Sequence, residues 1–305
     1  MRYLFLFIFF GCTQISIQAK TGPYFDEHFQ GRLNNFKDWQ VVLDNCKPNN
    51  DQQQNLRYYI SLSRTAMNNN TSIALTTTHY SLEPEMVFVQ GGSFQMGSNS
   101  GEEDEKPVHS VTVSSYYIGK YEVTQKQWRD VMGTDPAKLA FPGCEDCPVE
   151  RISWDEVQIF LQKLNSQTGK NYRLPTEAEW EFAALGGNSS KNYIYSGSND
   201  LGAVAWYKEN SDSKTHPVGG KQVNELNIYD MTGNVWEWCS DWYDEKYYES
   251  SPSENPKGAT SGSLRVNRGG SWRLTTVYCR LTNRNGNGPS FREQFLGFRV
   301  ALSSK

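Results

Sequence analysis

The sequence is short of histidine, has no basic excess, and holds no apolar run long enough to cross a bilayer as a helix. Its 305 residues include 4 His. His28, His79, His109 and His216 form no H-x-x-H or H-E-x-x-H pair, which argues against a zincin or a histidine-held iron. The G-x-S-x-G elbow of serine hydrolases and the phosphate-binding P-loop are also missing. With 30 Lys and Arg against 34 Asp and Glu, the formal charge is −4, so no nucleic-acid binder with a broad basic face fits. Charged residues make up 21%, too many for a multi-span membrane protein. What is plentiful is ring surface: 13% aromatic, with 9 Trp and 17 Tyr, more than a disordered chain carries. The length allows one large domain or two ordinary ones.

At the N-terminus, Arg2 precedes an apolar run over residues 4–10, and small or polar residues follow. That order predicts a secretory signal over residues 1–19, cut after Ala19. A rival cut lies before Cys12, whose lipidation would tether the chain to a membrane. The expected location is secreted or periplasmic, with the anchored lipoprotein as the alternative. Export changes how the six cysteines read, because disulfides persist in oxidising compartments. Cys144 and Cys147 form a C-x-x-C between Pro142-Gly143 and Pro148, and one such pair lacks the four ligands of a structural zinc. A local disulfide is expected there. Cys46, Cys239 and Cys279 cannot all pair with one another. Cys239, among Trp236, Trp238 and Trp242, reads as a buried structural thiol.

Residues 20–85 are polar and rich in Asn and Gln, with short strands expected at 56–60 and 72–76. They read as an appendage or linker to a domain over 86–302. In that domain Met86–Val89 is an apolar strand, and Gly91-Gly92 a turn. Residues 108–113 alternate as a half-buried strand that Tyr116-Tyr117-Ile118 continues. The acidic run 102–105 reads as a solvated loop. Thr124 with Gln127, Ser153 with Glu156 and Thr176 with Glu179 are helix-start signatures before apolar residues at helical spacing. No long helix is readable from 187 to 305.

One loop carries possible metal chemistry. In Asp230-Met231-Thr232-Gly233-Asn234-Val235-Trp236-Glu237-Trp238 a glycine turn is flanked by carboxylates, as in hard-cation loops. Equally, Trp236 and Trp238 are core residues and the carboxylates cap turns.

An ordered set of motifs then stands out. It comprises residues 86–97, Lys106-Pro107-Val108-His109, Tyr121-Glu122-Val123-Thr124, Pro148-Val149-Glu150 with Ser153-Trp154, and residues 173–181. It continues with Gly233-Asn234-Val235-Trp236-Glu237-Trp238, Arg268-Gly269-Gly270-Ser271-Trp272 and Leu296-Gly297-Phe298-Arg299. Together they resemble the formylglycine-generating enzyme (sulfatase-modifying factor) family. The resemblance implies an α+β, C-type-lectin-like, loop-rich formylglycine-generating-enzyme fold.

The resemblance also implies two cysteines after the G-G-S motif that hold Cu(I), a metal suited to thiolates. Counted ungapped, Leu274 falls on the first and Cys279 on the second; anchored on Arg280 and Arg284, Cys279 matches neither. Either way one thiol at most remains, and copper is not expected. Cys279 and Ser271 are the catalytic candidates left. Calcium is expected, with Asp230, Gly233, Val235 and Glu237 on one family site; a second site near Val204, Ala205 and Asn210 looks degraded. Some relatives carry ligand-binding surfaces, which would place Trp272, Arg280 and Arg284 outward, together with Tyr278, Asn283, Asn285 and Asn287; equally these residues read as structural, and Trp272 more often as core. The expectation is an exported binding or accessory module for an exported protein or peptide. The alternative is an oxidase that converts a target cysteine to formylglycine.

Overall fold

Side-chain caps start each of the longer helices, at the three positions where the sequence predicts them. In the computed structural model, which describes residues 82–136, 138–304 and three N-terminal strands, α1 spans Gln125–Met132, α2 Trp154–Thr168 and α3 Glu177–Ala184. Thr124 Oγ1 accepts from the Gln127 backbone N–H, and Gln127 Oε1 accepts from the Thr124 N–H, at 3.1 and 3.0 Å. Ser153 with Glu156 and Thr176 with Glu179 close the same reciprocal box. Each box satisfies two N–H groups that a helix start leaves orphaned. A left-handed glycine, Gly133 and Gly169, ends α1 and α2. Past residue 187 the described residues hold one short α-helix, α4, Leu201–Val204, and 3-10 turns at Tyr247–Glu249 and Thr276–Cys279.

The N-terminal unit, Met1–Ser81, shows β1 (Tyr3–Phe9), β2 (Gln14–Lys20) and β3 (Trp39–Leu43) as one antiparallel sheet. The apolar run expected to form a signal core is strand here. The expected strands at 56–60 and 72–76, and Cys12, His28, Cys46 and His79, lie outside the described residues.

The second unit, Leu82–Lys305, carries β4 (Met86–Val89), β5 (Gly92–Met96), β6 (His109–Val113), β7 (Tyr116–Gly119) and β8 (Tyr172–Arg173). Then follow β9 (Trp236–Trp242), β10 (Arg265–Arg268), β11 (Arg284–Asn287), β12 (Leu296–Gly297) and β13 (Ala301–Ser303). They form sheets of order β11-β10-β9-β12, β4-β7-β13-β8 and β5-β6. One expectation needs correcting: β7 does not continue β6. The chain turns at Ser114-Ser115, whose polar groups are taken up by residues outside the β5-β6 ladder. Asn255 Oδ1 accepts from the Ser114 N–H, and Ser115 Oγ accepts from the Gly91 N–H. The ladder breaks there and the two strands enter different sheets.

Helix α2 lays Val157, Phe160, Leu161 and Leu164 against α1 and the β12–β13 segment. Phe160 stacks on Trp128 at 5.3 Å and meets Phe298 edge-on at 5.2 Å. Burying each such side chain stabilises by about 1.5–3 kcal/mol. Helix α3 is buried almost all round, with Trp180, Phe182, Ala183 and Ala184 in the other core cluster.

That burial forces α3 to meet charges with charges. Glu177 and Glu181, one turn apart, reach Arg284 and Arg268. Arg284 Nε and Nη2 donate to the two Glu177 oxygens at 2.6 and 2.8 Å, and Arg268 Nη2 donates to Glu181. Burial alone would raise the Glu177 carboxyl, but the Arg284 and Arg268 charges outweigh it and hold the group below its usual value. The acidic run departs from expectation in its second half: Glu102 and Glu103 are exposed, as in a solvated loop, but Asp104 and Glu105 are buried. Glu105 is fully buried and accepts from Arg280 at 2.6 and 2.8 Å; Asp104 Oδ2 accepts from Tyr243 Oη at 2.8 Å. Its partners lie far along the chain, so local composition misjudged it.

Candidate functional site

The Arg268-Gly269-Gly270-Ser271-Trp272 turn leaves β10 through two left-handed glycines, at φ 101° and 76°. Gly270 is also a close-approach position: a Cβ there would stand 2.8 Å from the Tyr278 carbonyl oxygen and 2.9 Å from Cys279 Sγ. Trp272 is held at three points. Its N–H donates to the Asn234 carbonyl (2.9 Å), its indole Nε1 to the Gln294 carbonyl (3.1 Å), and its carbonyl accepts from Ser211 Oγ (2.7 Å). The chain then runs through Leu274 to a 3-10 turn at Thr276–Cys279.

Leu274 packs into the small apolar cluster of Cys279, Leu201, Ala205, Tyr195 and Tyr207. The two positions of the ungapped count therefore belong to the same apolar cluster, Cys279 within it and Leu274 at its border. Cys279 is buried, and its thiol is pushed up to about 12; burial is the cause, only partly offset by a hydrogen bond from the Ser271 backbone. Ser271 is buried too, and its Oγ has no partner. A Cu(I) dithiolate does not fit this pair of positions. Leu274 offers no donor, and the lone thiol stays protonated at neutral pH. Cys239 is buried on β9, with its thiol raised well above its usual value, chiefly by burial.

The expected ligand surface is rearranged. Arg284 is buried against Glu177, Asn283 is buried, and Trp272 is 7% exposed. These side chains turn inward because the buried carboxylates of α3 and the Phe141 ring, edge-on to Trp272 at 5.5 Å, take them. Arg280 remains partly exposed but is bound to Glu105. Tyr278 is outward, and Asn285 and Asn287 are half-buried.

The Asp230 loop gathers more charge than its own residues show. Asp230 lies at φ 56°, and its Oδ2 accepts from the Gly219 N–H at 2.6 Å, while Oδ1 has no partner. Burial pushes its carboxyl up to about 6. Gly233, at φ 84°, runs so close to the Trp206 carbonyl oxygen that a Cβ would stand 2.4 Å from it. The Val235 N–H donates to Glu122 Oε1 at 3.1 Å. Glu237 accepts from Arg299 Nε and Nη2 at 2.6 Å each, and from Trp180 Nε1 at 2.7 Å. Glu122, fully buried, is raised well above its usual value by burial, then by the Asp230 and Glu237 charges. Sequence reasoning assigned no role to Glu122 or Arg299, although both stand in its motif set.

Three buried carboxyl groups thus share one guanidinium. That charge excess, and the open Asp230 Oδ1, fit a hard cation. Glu237 contributes less than expected, since both its oxygens already accept hydrogen bonds. Among the described residues no group of three or more His, Cys, Asp and Glu side chains is placed to hold a metal ion. A cation here needs the Gly233 and Val235 carbonyls. At the second position, which the sequence reads as degraded, Asn210 Oδ1 accepts from the Tyr207 N–H and its Nδ2 donates to the Ala205 carbonyl.

Comparison with known proteins gives this architecture its place. The chain is 36% identical over 287 residues to "Chaperone protein LppX" of Paenibacillus barcinonensis, covering 76% of this chain and 94% of that protein. It is 29% identical over 282 residues to the formylglycine-generating enzyme of Streptomyces coelicolor, covering 70% of this chain and 88% of the enzyme. Among solved structures, Treponema denticola variable protein 1 superposes with a TM-score of 0.66 at 33% identity, covering 72% of this chain and 95% of that one. Residues 73–304 match the sulfatase-modifying factor enzyme 1-like domain, and the chain belongs to that family.

Proposed function

We propose that this chain is a binding or accessory module of the formylglycine-generating-enzyme type that has no copper-dependent cysteine oxidase activity. One observation carries the reading: on the ungapped count the family's cysteine pair falls on Leu274, which borders the cluster around Cys279, and on a buried Cys279 whose thiol burial pushes up to about 12. The partner is an exported protein or peptide, met in a secreted or periplasmic setting, or at a membrane face if Cys12 is lipidated. Similarity to a relative named as a chaperone protein supports a role directed at another protein. Calcium serves structure here, neutralising the surplus charge around Asp230.

The test is direct. Incubate the purified protein with a C-x-P-x-R peptide, Cu(I) and O₂, and follow the cysteine by mass spectrometry. No formylglycine is expected. Turnover that disappears in Cys279→Ser overturns the reading and makes the oxidase primary. Leu274→Cys, which places a second thiol in the Cys279 cluster, is expected to bind Cu(I) where the wild type does not.

A further inference from the structure

The Cys144-Glu145-Asp146-Cys147 turn is exposed along Glu145 and Asp146, yet its carbonyls serve two other parts of the fold. A helix start leaves its first N–H groups without partners inside the helix. At α1 the Thr124 side chain takes the Gln127 N–H, and this turn takes those of Gln125 and Lys126. The Glu145 carbonyl accepts from the Lys126 N–H at 3.0 Å, and the Cys147 carbonyl from the Gln125 N–H at 2.9 Å. Between them, the Asp146 carbonyl accepts from the Val218 N–H at 2.9 Å. The next residue, Gly219, donates its N–H to Asp230 Oδ2 at 2.6 Å, and His216 donates its N–H to Asn234 Oδ1 at 3.0 Å. Segment 216–219 thus reaches from the cysteine turn to the Asp230 loop and is hydrogen-bonded to each.

The chain on either side of the turn is held independently of it. Glu150 Oε1 accepts from the Ala140 and Phe141 N–H groups at 2.7 and 3.1 Å. Val149 donates its N–H to the Val123 carbonyl at 2.8 Å. Within the turn, the Cys147 N–H donates to the Cys144 carbonyl at 3.2 Å. Pro142-Gly143 before it is exposed, and a Cβ on Gly143 would meet nothing within 4 Å. Cys144 is half-buried and Cys147 is 4% exposed, with Cα atoms 5.2 Å apart. A link between the two sulfurs therefore acts on the turn and leaves its flanks alone.

We propose that Cys144 and Cys147 form a reversible bridge that works as a redox switch on segment 216–219 and on the Asp230 loop it backs. In an oxidising medium the bridge is closed. A dithiol reductant opens it from the exposed side. Its thiolate attacks Cys144 Sγ, the Sγ–Sγ bond breaks, and Cys147 leaves as a thiolate that takes up a proton. The reductant's second thiol then displaces Cys144. The pair gains two electrons and two protons, and the reductant becomes a disulfide. Cys144 and Cys147 are three residues apart in sequence, and losing the chain-entropy constraint of so short a loop favours opening of the turn by up to about 20-fold. Each opening withdraws the Asp146 carbonyl from Val218 and loosens Gly219 against Asp230. The fold stays, because the flanks keep their own anchors. The switch depends neither on a bound cation nor on the accessory reading.

Amide hydrogen exchange of the full chain, resolved by NMR with and without dithiothreitol, tests the switch, since exchange reports local opening amide by amide. In the reduced protein the Val218 and Gly219 N–H groups exchange about 10- to 20-fold faster. The Tyr243 N–H, which donates to the Leu264 carbonyl at 2.8 Å, keeps its rate. The double variant Cys144→Ser with Cys147→Ser exchanges like the reduced protein and ignores dithiothreitol. Equal exchange at Val218 and Gly219 in both redox states overturns the switch. A dithiothreitol response that persists in the double variant overturns it too, because it would come from other cysteines. An equal acceleration at Tyr243 means global loosening and has the same consequence. Free thiols at Cys144 and Cys147 after oxidation overturn bridge and switch together.

Discussion

Changing Asp230 to Asn isolates the cost of one buried charge. Without metal and above pH 6, the native carboxyl is ionised although burial pushes it up to about 6, against roughly 3.9 in an unfolded chain. That gap of about two pKa units corresponds to about 3 kcal/mol of native-state destabilisation. Asparagine keeps an acceptor for the Gly219 N–H and suits the left-handed backbone at φ 56°. Its amide nitrogen takes the place of an oxygen that has no partner, and an unpaired donor there costs about 1 kcal/mol. The variant should therefore be more stable than the wild type by about 2 kcal/mol at pH 7.5 in EDTA.

The sign follows from proton linkage. The folded acid holds its proton more tightly than the unfolded one, so its contribution is full below about pH 4 and is lost as pH rises through 6. The wild-type curve falls against the variant's over that window. Asp241, pushed up to about 7 by burial and then by the Glu177 charge, adds its own fall in both proteins and cancels in the difference. Urea denaturation followed by tryptophan fluorescence at half-unit pH steps, in EDTA and then in millimolar Ca²⁺, measures all of this. At 100 times its Kd, Ca²⁺ stabilises the wild type by about 2.7 kcal/mol, and the asparagine variant, one carboxylate short, responds less. A variant no more stable than wild type in EDTA, with a flat difference between pH 4 and 6, refutes the reasoning.

Arg284→Ala removes both guanidinium hydrogen bonds to buried Glu177, leaves it Arg268 Nε at 3.4 Å as its remaining ion pair, and should cost about 3 kcal/mol by chemical denaturation. Arg129→Ala, whose partners Asp135 and Glu145 are exposed, should cost under about 1 kcal/mol, and equal losses would contradict the burial argument. Cys144 and Cys147 lie with Cα atoms 5.2 Å apart, within the range of a disulfide. Alkylation of the unreduced protein, purified under oxidising conditions, should leave both unlabelled, and two labelled thiols there would count against the bridge.

The helix starts were legible because a capping box is local: donor and acceptor lie three residues apart, and the pattern carries its own geometry. The family was legible from the order of its motifs. The acidic run was misjudged for the opposite reason. Glu105 meets Arg280 and Asp104 meets Tyr243 across 175 and 139 residues, distances over which composition says nothing.

Trp272 and Arg284 suited a binding surface and the core alike, and Trp272 read more readily as core; in the fold Arg284 answers a charge on α3 and Trp272 closes against Phe141. Glu122 and Arg299 stood in the motifs without a role until the fold brought them to Asp230 and Glu237. By itself the sequence determined the local starts and turns, the family, and the number of thiols. Tertiary structure alone decided which charges are buried together, because a buried charge is settled by whatever the fold sets against it.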